Sequence, residues 1–148
     1  MPLGKLEVLL VSAKALENSD FLSSMDPYVI LTCRTQEQKS SISTDGGSNP
    51  EWNETFLFTV SGEAPDLNLK IMDKDNFSAD DFVGEANISL SVVFEEGNVP
   101  PTSYNVVKDG EYKGEIRVGL TFTPQETYGS RGLEEESYGG WKESSSDF

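Results

Sequence analysis

LNLKIMDKDNFSADDFVGEANISL, residues 67–90, is the stretch that decides the fold. Residues 67–72 and 83–90 alternate apolar and polar side chains with the period of two that marks strands, and between them runs a short loop carrying Asp73, Asp75, Asp80 and Asp81. Counted from Asp73 as a twelve-residue EF-hand loop, the segment fails three times. Phe77 stands at position five, Ser78 where glycine is needed, and Gly84 where the bidentate glutamate belongs. The acids therefore sit on a loop between two strands.

A second acidic window, NSDFLSSMDP at residues 18–27, places Asp20 and Asp26 between two further alternating runs. One aspartate in a turn is ordinary, because its side chain caps nearby backbone N–H groups. A D-x-D pair with a third Asp six residues on, in the same chain as a D-x5-D window, is much less easily explained by turn chemistry. Carboxylate oxygens are the hard ligands calcium prefers, and calcium takes six to eight of them. Five like charges within about 6 Å would repel pairwise by roughly 3 kcal/mol at an effective dielectric near 20. A divalent cation among Asp20, Asp26, Asp73, Asp75 and Asp81 is the expected resolution.

Outward from these loops the alternation continues. Strands read at KLEVLLVSA (5–13), YVILTCR (28–34), 39–42, ETFLFTV (54–60), 67–72, 83–90, SYNVV (103–107) and GEIRVGLTF (114–122), with one short helix near 92–96. Both faces of 5–13 are apolar, as suits a central or covered strand. Eight short strands separated by Gly, Pro, Asn and Asp predict an all-β, eight-stranded antiparallel sandwich. Lys108-Asp109-Gly110-Glu111 reads as a hairpin turn, and Pro27 ends the first acidic loop. Trp52 and Asn53 read as structural, the indole as a core anchor.

The folded domain is expected over residues 1–123. Residues 124–148, rich in Gly, Ser and Glu with no sustained apolar period, read as an acidic and largely disordered tail. The tail holds six acidic and two basic residues, so of the net charge of -15 it contributes -4 and the domain -11. A domain so acidic, without a basic run, repels phosphates, which excludes nucleic acid as a partner. It repels an anionic membrane as well, unless a cation changes the local charge.

The single cysteine, Cys33, has no internal partner, the first residues lack a secretory signature, and no apolar run approaches the length that spans a bilayer. Met1-Pro2-Leu3 offers no myristoylation glycine, and the final Ser-Ser-Asp-Phe is no prenylation box. A cytoplasmic monomer is expected. With no histidine, Ser-His-Asp and Cys-His chemistry is excluded; Cys33 falls within an expected strand, and no sugar cleft is indicated for the carboxylates. The chain reads as a binding module, not an enzyme.

LEVLLVSAKAL before the first loop, D-x5-DPYV at 20–29, NPEWNETF at 49–56 and DKD-x5-D-x2-G at 73–84 occur in order, and together they resemble the C2 domain family over roughly residues 4–122. The acidic, tail-bearing chain is most similar to small single-domain plant members of the elicitor-responsive type. The resemblance implies a sandwich in the permuted (type II) order whose extra strand is C-terminal. It implies calcium ligation by Asp20 and Asp26 from the first loop and by Asp73, Asp75 and Asp81 from the third, completed by backbone carbonyls near Ser19 and Lys74. Asp80 is taken as a neighbouring charge. Because CRTQEQKSSIS supplies only Arg34 and Lys39, the phosphoinositide-binding lysine strand of many members is not expected as a strong patch.

Two calcium ions would bring +4 to five carboxylates and leave the loop tips nearly neutral, with open coordination positions for water or lipid phosphate. Phe21, Leu22, Met25 and Phe77 are apolar choices for solvated loops. They read either as packing beneath the loops or as membrane contacts, where insertion would contribute on the order of 1–2 kcal/mol each. Each uncompensated negative charge at an anionic surface costs roughly 1 kcal/mol. The expectation is calcium-dependent binding to an anionic phospholipid membrane, with recruitment to the plasma membrane and a role in plant defence signalling. The alternative is a calcium-independent protein-interaction module, with Tyr128, Tyr138 and Trp141 of the tail as a docking segment for a protein partner.

Overall fold

The structure is a computed structural model, and it describes residues 3–16, 25–61 and 63–125. Its strands are β1 (Leu3–Lys14), β2 (Pro27–Cys33), β3 (Gln36–Lys39), β4 (Glu51–Ser61), β5 (Asp66–Asp73), β6 (Asp81–Ser89), β7 (Asn98–Lys108) and β8 (Glu111–Pro124). One helix, α1 (Ser91–Glu96), precedes β7 and ends at Gly97, whose φ of 82° closes the turn.

All pairings are antiparallel, in the order β3-β2-β5-β6-β7-β8-β1-β4. Between β6 and β7 only Glu85 and Val107 pair, so the strands fall into two four-stranded layers joined along one seam. Gly84 permits that seam, since a Cβ there would meet Val106 Cγ1 at 2.6 Å. β8 lies along β1, the placement required when the extra strand is C-terminal. Inward residues of both layers, among them Leu6, Leu10, Leu31, Phe58, Leu69, Ile71, Ile116 and Val118, are buried, and Val99 and Tyr104 of β7 pack against them partly buried. Each fully buried side chain contributes about 1.5–3 kcal/mol by leaving water.

The open edges are managed locally. Gln36 and Gln38 of β3 donate their side-chain amides to the Thr59 and Leu57 carbonyls of β4, and Thr59 N–H returns a bond to Gln36 Oε1 at 3.0 Å. Two edge strands thus satisfy each other through side chains, and the sandwich nearly closes into a barrel.

β3 lies three residues before the expected 39–42. Ile42 is exposed, while Ser40, just past β3, donates its N–H to the Val29 carbonyl and accepts Val29 N–H on its hydroxyl, both at 2.8 Å, so the side chain replaces the carbonyl as acceptor. β7 begins five residues earlier than expected because Pro100 and Pro101 occupy an irregularity between Val99 and Thr102, where no ladder N–H is required of them. Asp109 and Gly110 both have positive φ, 54° and 78°, as a two-residue hairpin turn demands. Asn53 also has positive φ, at the bulge where β4 slips against β1. Trp52 beside it is in the core, and its indole N–H has no acceptor among the described residues. Cys33 is buried, and burial pushes its thiol up, which suits a packing role. Among the described residues no helix is long and apolar enough to cross a membrane.

Candidate metal centre

Strand register assembles the acids. Pro27 pairs with Asp73 and Asp73 pairs with Asp81, so the starts of β2 and β6 flank the end of β5 and bring Asp26, Asp73 and Asp81 side by side at one pole. Asp73 Oδ1 accepts Asp26 N–H at 2.9 Å, and Lys74 N–H donates to the Asp26 carbonyl at 3.0 Å, which ties the third loop to the first across the sheet. The loop between β3 and β4 joins them: Asp45 N–H donates to Asp26 Oδ1 at 2.7 Å, and Gly47 N–H to the Met25 carbonyl at 3.0 Å.

Electrostatics record the crowding. Burial pushes the Asp73 carboxyl above its ordinary range, the bond from Asp26 N–H opposes this, and the charges of Asp26, Asp81 and Asp75 push it further up. Asp75 goes the other way, held below its ordinary range by Phe77 N–H, the Ser78 hydroxyl and Ser78 N–H, at 2.8, 2.7 and 3.2 Å. Both Asp75 oxygens are thereby turned back onto their own loop. Among the described residues, no three acidic or cysteine side chains close into a metal-holding group. The donor set nonetheless fits a hard divalent cation in kind: carboxylate oxygens from three strand ends, with their mutual repulsion left standing. Asp20 and Ser19 lie outside the described residues, as do Phe21 and Leu22.

The structure separates the apolar loop residues. Phe77 is 99% exposed at the tip of the third loop. Met25 is 1% exposed and belongs to the core cluster, which corrects its reading as a membrane contact.

Two features escaped the sequence reading. Asp80 is more than a neighbouring charge: its carboxylate accepts the Tyr28 hydroxyl and, at 2.9 Å, Asp75 N–H, with Lys74 Nζ at 3.7 Å. These partners hold Asp80 below the ordinary carboxylate range, while burial and the Asp80 bond push the Tyr28 phenol up to about 12. The other feature is cationic. Lys39 Nζ lies 5.4 Å from the centre of the Tyr28 ring, and Lys70 and Lys108 lie 6.0 and 5.9 Å from that of Phe82. Tyr28, Met72 and Phe82 form one cross-strand row, and Ile30 pairs with both Lys39 and Lys70, so lysines from three separate strands share a face.

The C2 domain profile matches residues 4–106. The chain belongs to the C2 domain family. This C2 domain is 62% identical over 148 residues to 16 kDa phloem protein 2 of Arabidopsis thaliana, covering 100% of both chains. It is 61% identical over 142 residues to Elicitor-responsive protein 3 of Oryza sativa subsp. japonica, covering 96% of this chain and 98% of that one. Among solved structures, a C2 domain-containing protein from a putative elicitor-responsive gene matches with a TM-score of 0.76 at 61% identity, over 88% of this chain and 95% of the other. The calcium-bound tandem C2 domains of Extended-Synaptotagmin 2 match with a TM-score of 0.70 at 25% identity, over 84% of this chain and 47% of that one. The chain is thus a small C2 domain protein, similar along nearly its whole length to plant elicitor-responsive and phloem proteins.

Proposed function

We propose that this C2 domain binds anionic phospholipid surfaces when calcium occupies the pole formed by Asp20, Asp26, Asp73, Asp75 and Asp81. The observation that carries the reading is the register that sets Asp26, Asp73 and Asp81 side by side beneath a loop whose tip, Phe77, is almost wholly exposed. Two calcium ions would neutralise the crowded acids and offer open positions to lipid phosphate. Asp26, Asp73 and Asp81 would hold the ions from the strand ends, and Asp75 would join after releasing its loop donors. Phe77, with Phe21 and Leu22, would enter the interface, while Lys39, Lys70 and Lys108 would meet headgroups on the adjoining face. Recruitment would run from cytoplasm to plasma membrane, and the elicitor-responsive relatives favour a place in defence signalling.

Co-sedimentation with phosphatidylserine vesicles, in calcium and in chelator, tests this directly. Pelleting in calcium alone is expected, and Asp73→Asn with Asp75→Asn should abolish it. Equal pelleting in both conditions would instead favour a calcium-independent module. That second reading has its own observation, a cleft at the opposite pole with Ala64, Pro65 and Phe94 below Glu63 and Asp66.

A further inference from the structure

The third loop is held by a series of hydrogen bonds that starts outside it. Tyr28 on β2, 5% exposed, donates its hydroxyl to Asp80 Oδ2. Asp80 Oδ1 receives Asp75 N–H at 2.9 Å, and the Asp75 carboxylate in turn receives the N–H groups of Phe77 and Ser78 at 2.8 and 3.2 Å. The order is sheet, Asp80, Asp75, loop tip. Lys74 Nζ, 3.7 Å from Asp80 Oδ1, leaves this carboxylate paired on both oxygens. Asp80 therefore faces the inside of its own loop, with no oxygen committed outward.

We propose that Tyr28 and Asp80 are positioning residues that set the shape of the third loop, and through it the placement of both Asp75 and Phe77. The proposal deepens the calcium reading and rests on it. Asp80 acts by bridging the Tyr28 hydroxyl and Asp75 N–H and not through its charge toward the ion. Tyr28 supplies the fixed point, because its ring is buried on β2 beneath Lys39 while the loop itself is exposed. Without the phenol hydroxyl, Asp80 is free to turn to water, and Asp75 N–H loses its fixed acceptor.

The test uses the full chain and three variants: Tyr28→Phe, Asp80→Ala and Asp80→Asn. Asparagine keeps a carbonyl oxygen for Asp75 N–H and, once the Tyr28 hydroxyl turns its hydrogen away, an amide that donates to the Tyr28 oxygen, so the bridge persists with that bond reversed while the charge is removed. Amide exchange measured by NMR in EDTA should be about tenfold faster at Asp75 in Tyr28→Phe and Asp80→Ala, near wild type in Asp80→Asn, and unchanged in all three at core amides such as Leu69. Calorimetry with calcium chloride should show the calcium Kd raised about fivefold in the first two and within twofold of wild type in Asp80→Asn. If Asp80 served as charge alone, Asp80→Asn would match Asp80→Ala and Tyr28→Phe would match wild type, and the proposal would fall. If the wild type takes up no calcium, the calcium reading fails and takes the ion-presenting half of the proposal with it. The exchange data, gathered without metal, would then separately uphold or overturn the hold of Tyr28 on the loop.

Discussion

Asp73→Asn should make this domain more stable in chelator and less stable in calcium. Asp73 pairs with Pro27 beside Asp26 on one side and with Asp81 on the other, and Asp75 follows two residues on. Each of these partly solvated like-charge contacts is worth about 0.5 kcal/mol after screening. Asparagine removes three of them and relieves the burial of a charge. It also weakens the bond from Asp26 N–H from charge-assisted to neutral, a loss of about 0.5–1 kcal/mol. The net gain in chelator is about 1 kcal/mol, or about 3–5 °C in Tm for a domain of this size. Calcium at a hundredfold over its Kd stabilises the wild type by about 2.7 kcal/mol, whereas a variant with affinity lowered a hundredfold keeps about 0.4 kcal/mol. The two melting curves should therefore exchange order.

Differential scanning calorimetry at pH 7, in EDTA and then in calcium, reads both halves. Because the folded Asp73 carboxyl is held above its unfolded value, the native state binds the proton more tightly. The wild type therefore recovers stability as pH falls through the folded value toward the unfolded one, and the gap to Asp73→Asn in EDTA should close in that window. A variant less stable than wild type in EDTA would refute the reasoning. It would mean that Asp73 serves mainly as the acceptor for Asp26 N–H, not as a repelled charge awaiting metal.

Phe77→Ser should leave Tm within about 1 °C, since an almost wholly exposed side chain packs on nothing, and should weaken vesicle binding in calcium about tenfold; an unchanged vesicle titration would remove Phe77 from the interface. Replacing Lys39, Lys70 and Lys108 by Gln should weaken binding to phosphatidylserine vesicles by roughly 1 kcal/mol per charge at the surface and flatten its salt dependence, with calcium uptake in solution unaltered. Cys33 should resist a thiol reagent in the native protein at pH 8 and react fully in denaturant, because it is buried and its thiol is pushed up; prompt native labelling would contradict the packing described for β2.

What the sequence made legible was periodic. Residues 67–72 and 83–90 alternate cleanly because β5 and β6 each turn one face to the core, and the acids between them stand out against that pattern. β3 was misplaced because it carries no such signal: QEQK has no apolar face, and its glutamines work sideways against the backbone of β4. Met25 and Phe77 look alike as apolar residues in acidic loops, yet one ends in the core and the other in solvent, a difference set by loop geometry that spacing does not encode. The shared face of Lys39, Lys70 and Lys108 likewise depends on register across β3, β2, β5 and β6, so a search for a local basic run misses it. Asp80 and Tyr28 are 52 residues apart in sequence, and only the fold shows that Asp80, which the sequence marks as a mere neighbouring charge, is bonded to the Tyr28 hydroxyl.

The division of labour between Asp80 and Asp81 bears on how an acidic domain can be switched. A net charge of -11 on the domain opposes approach to an anionic surface, and neutralising two or three surface acids at random would change that little. Concentrating carboxylates at strand ends makes a few ions sufficient, but only if the loop does not collapse to satisfy those acids internally while it waits. The Asp75 carboxylate, folded back on Phe77 and Ser78, shows how readily such collapse occurs. Pinning Asp80 to β2 limits it, because the backbone of Asp75 stays where the sheet holds it even while its side chain turns inward. On the proposed reading, calcium would have to displace two loop N–H groups and one hydroxyl from a single carboxylate, and would not have to rebuild the loop. The barrier to such a switch would accordingly be a local one, while the repulsion it would relieve is shared by Asp26, Asp73 and Asp81 together.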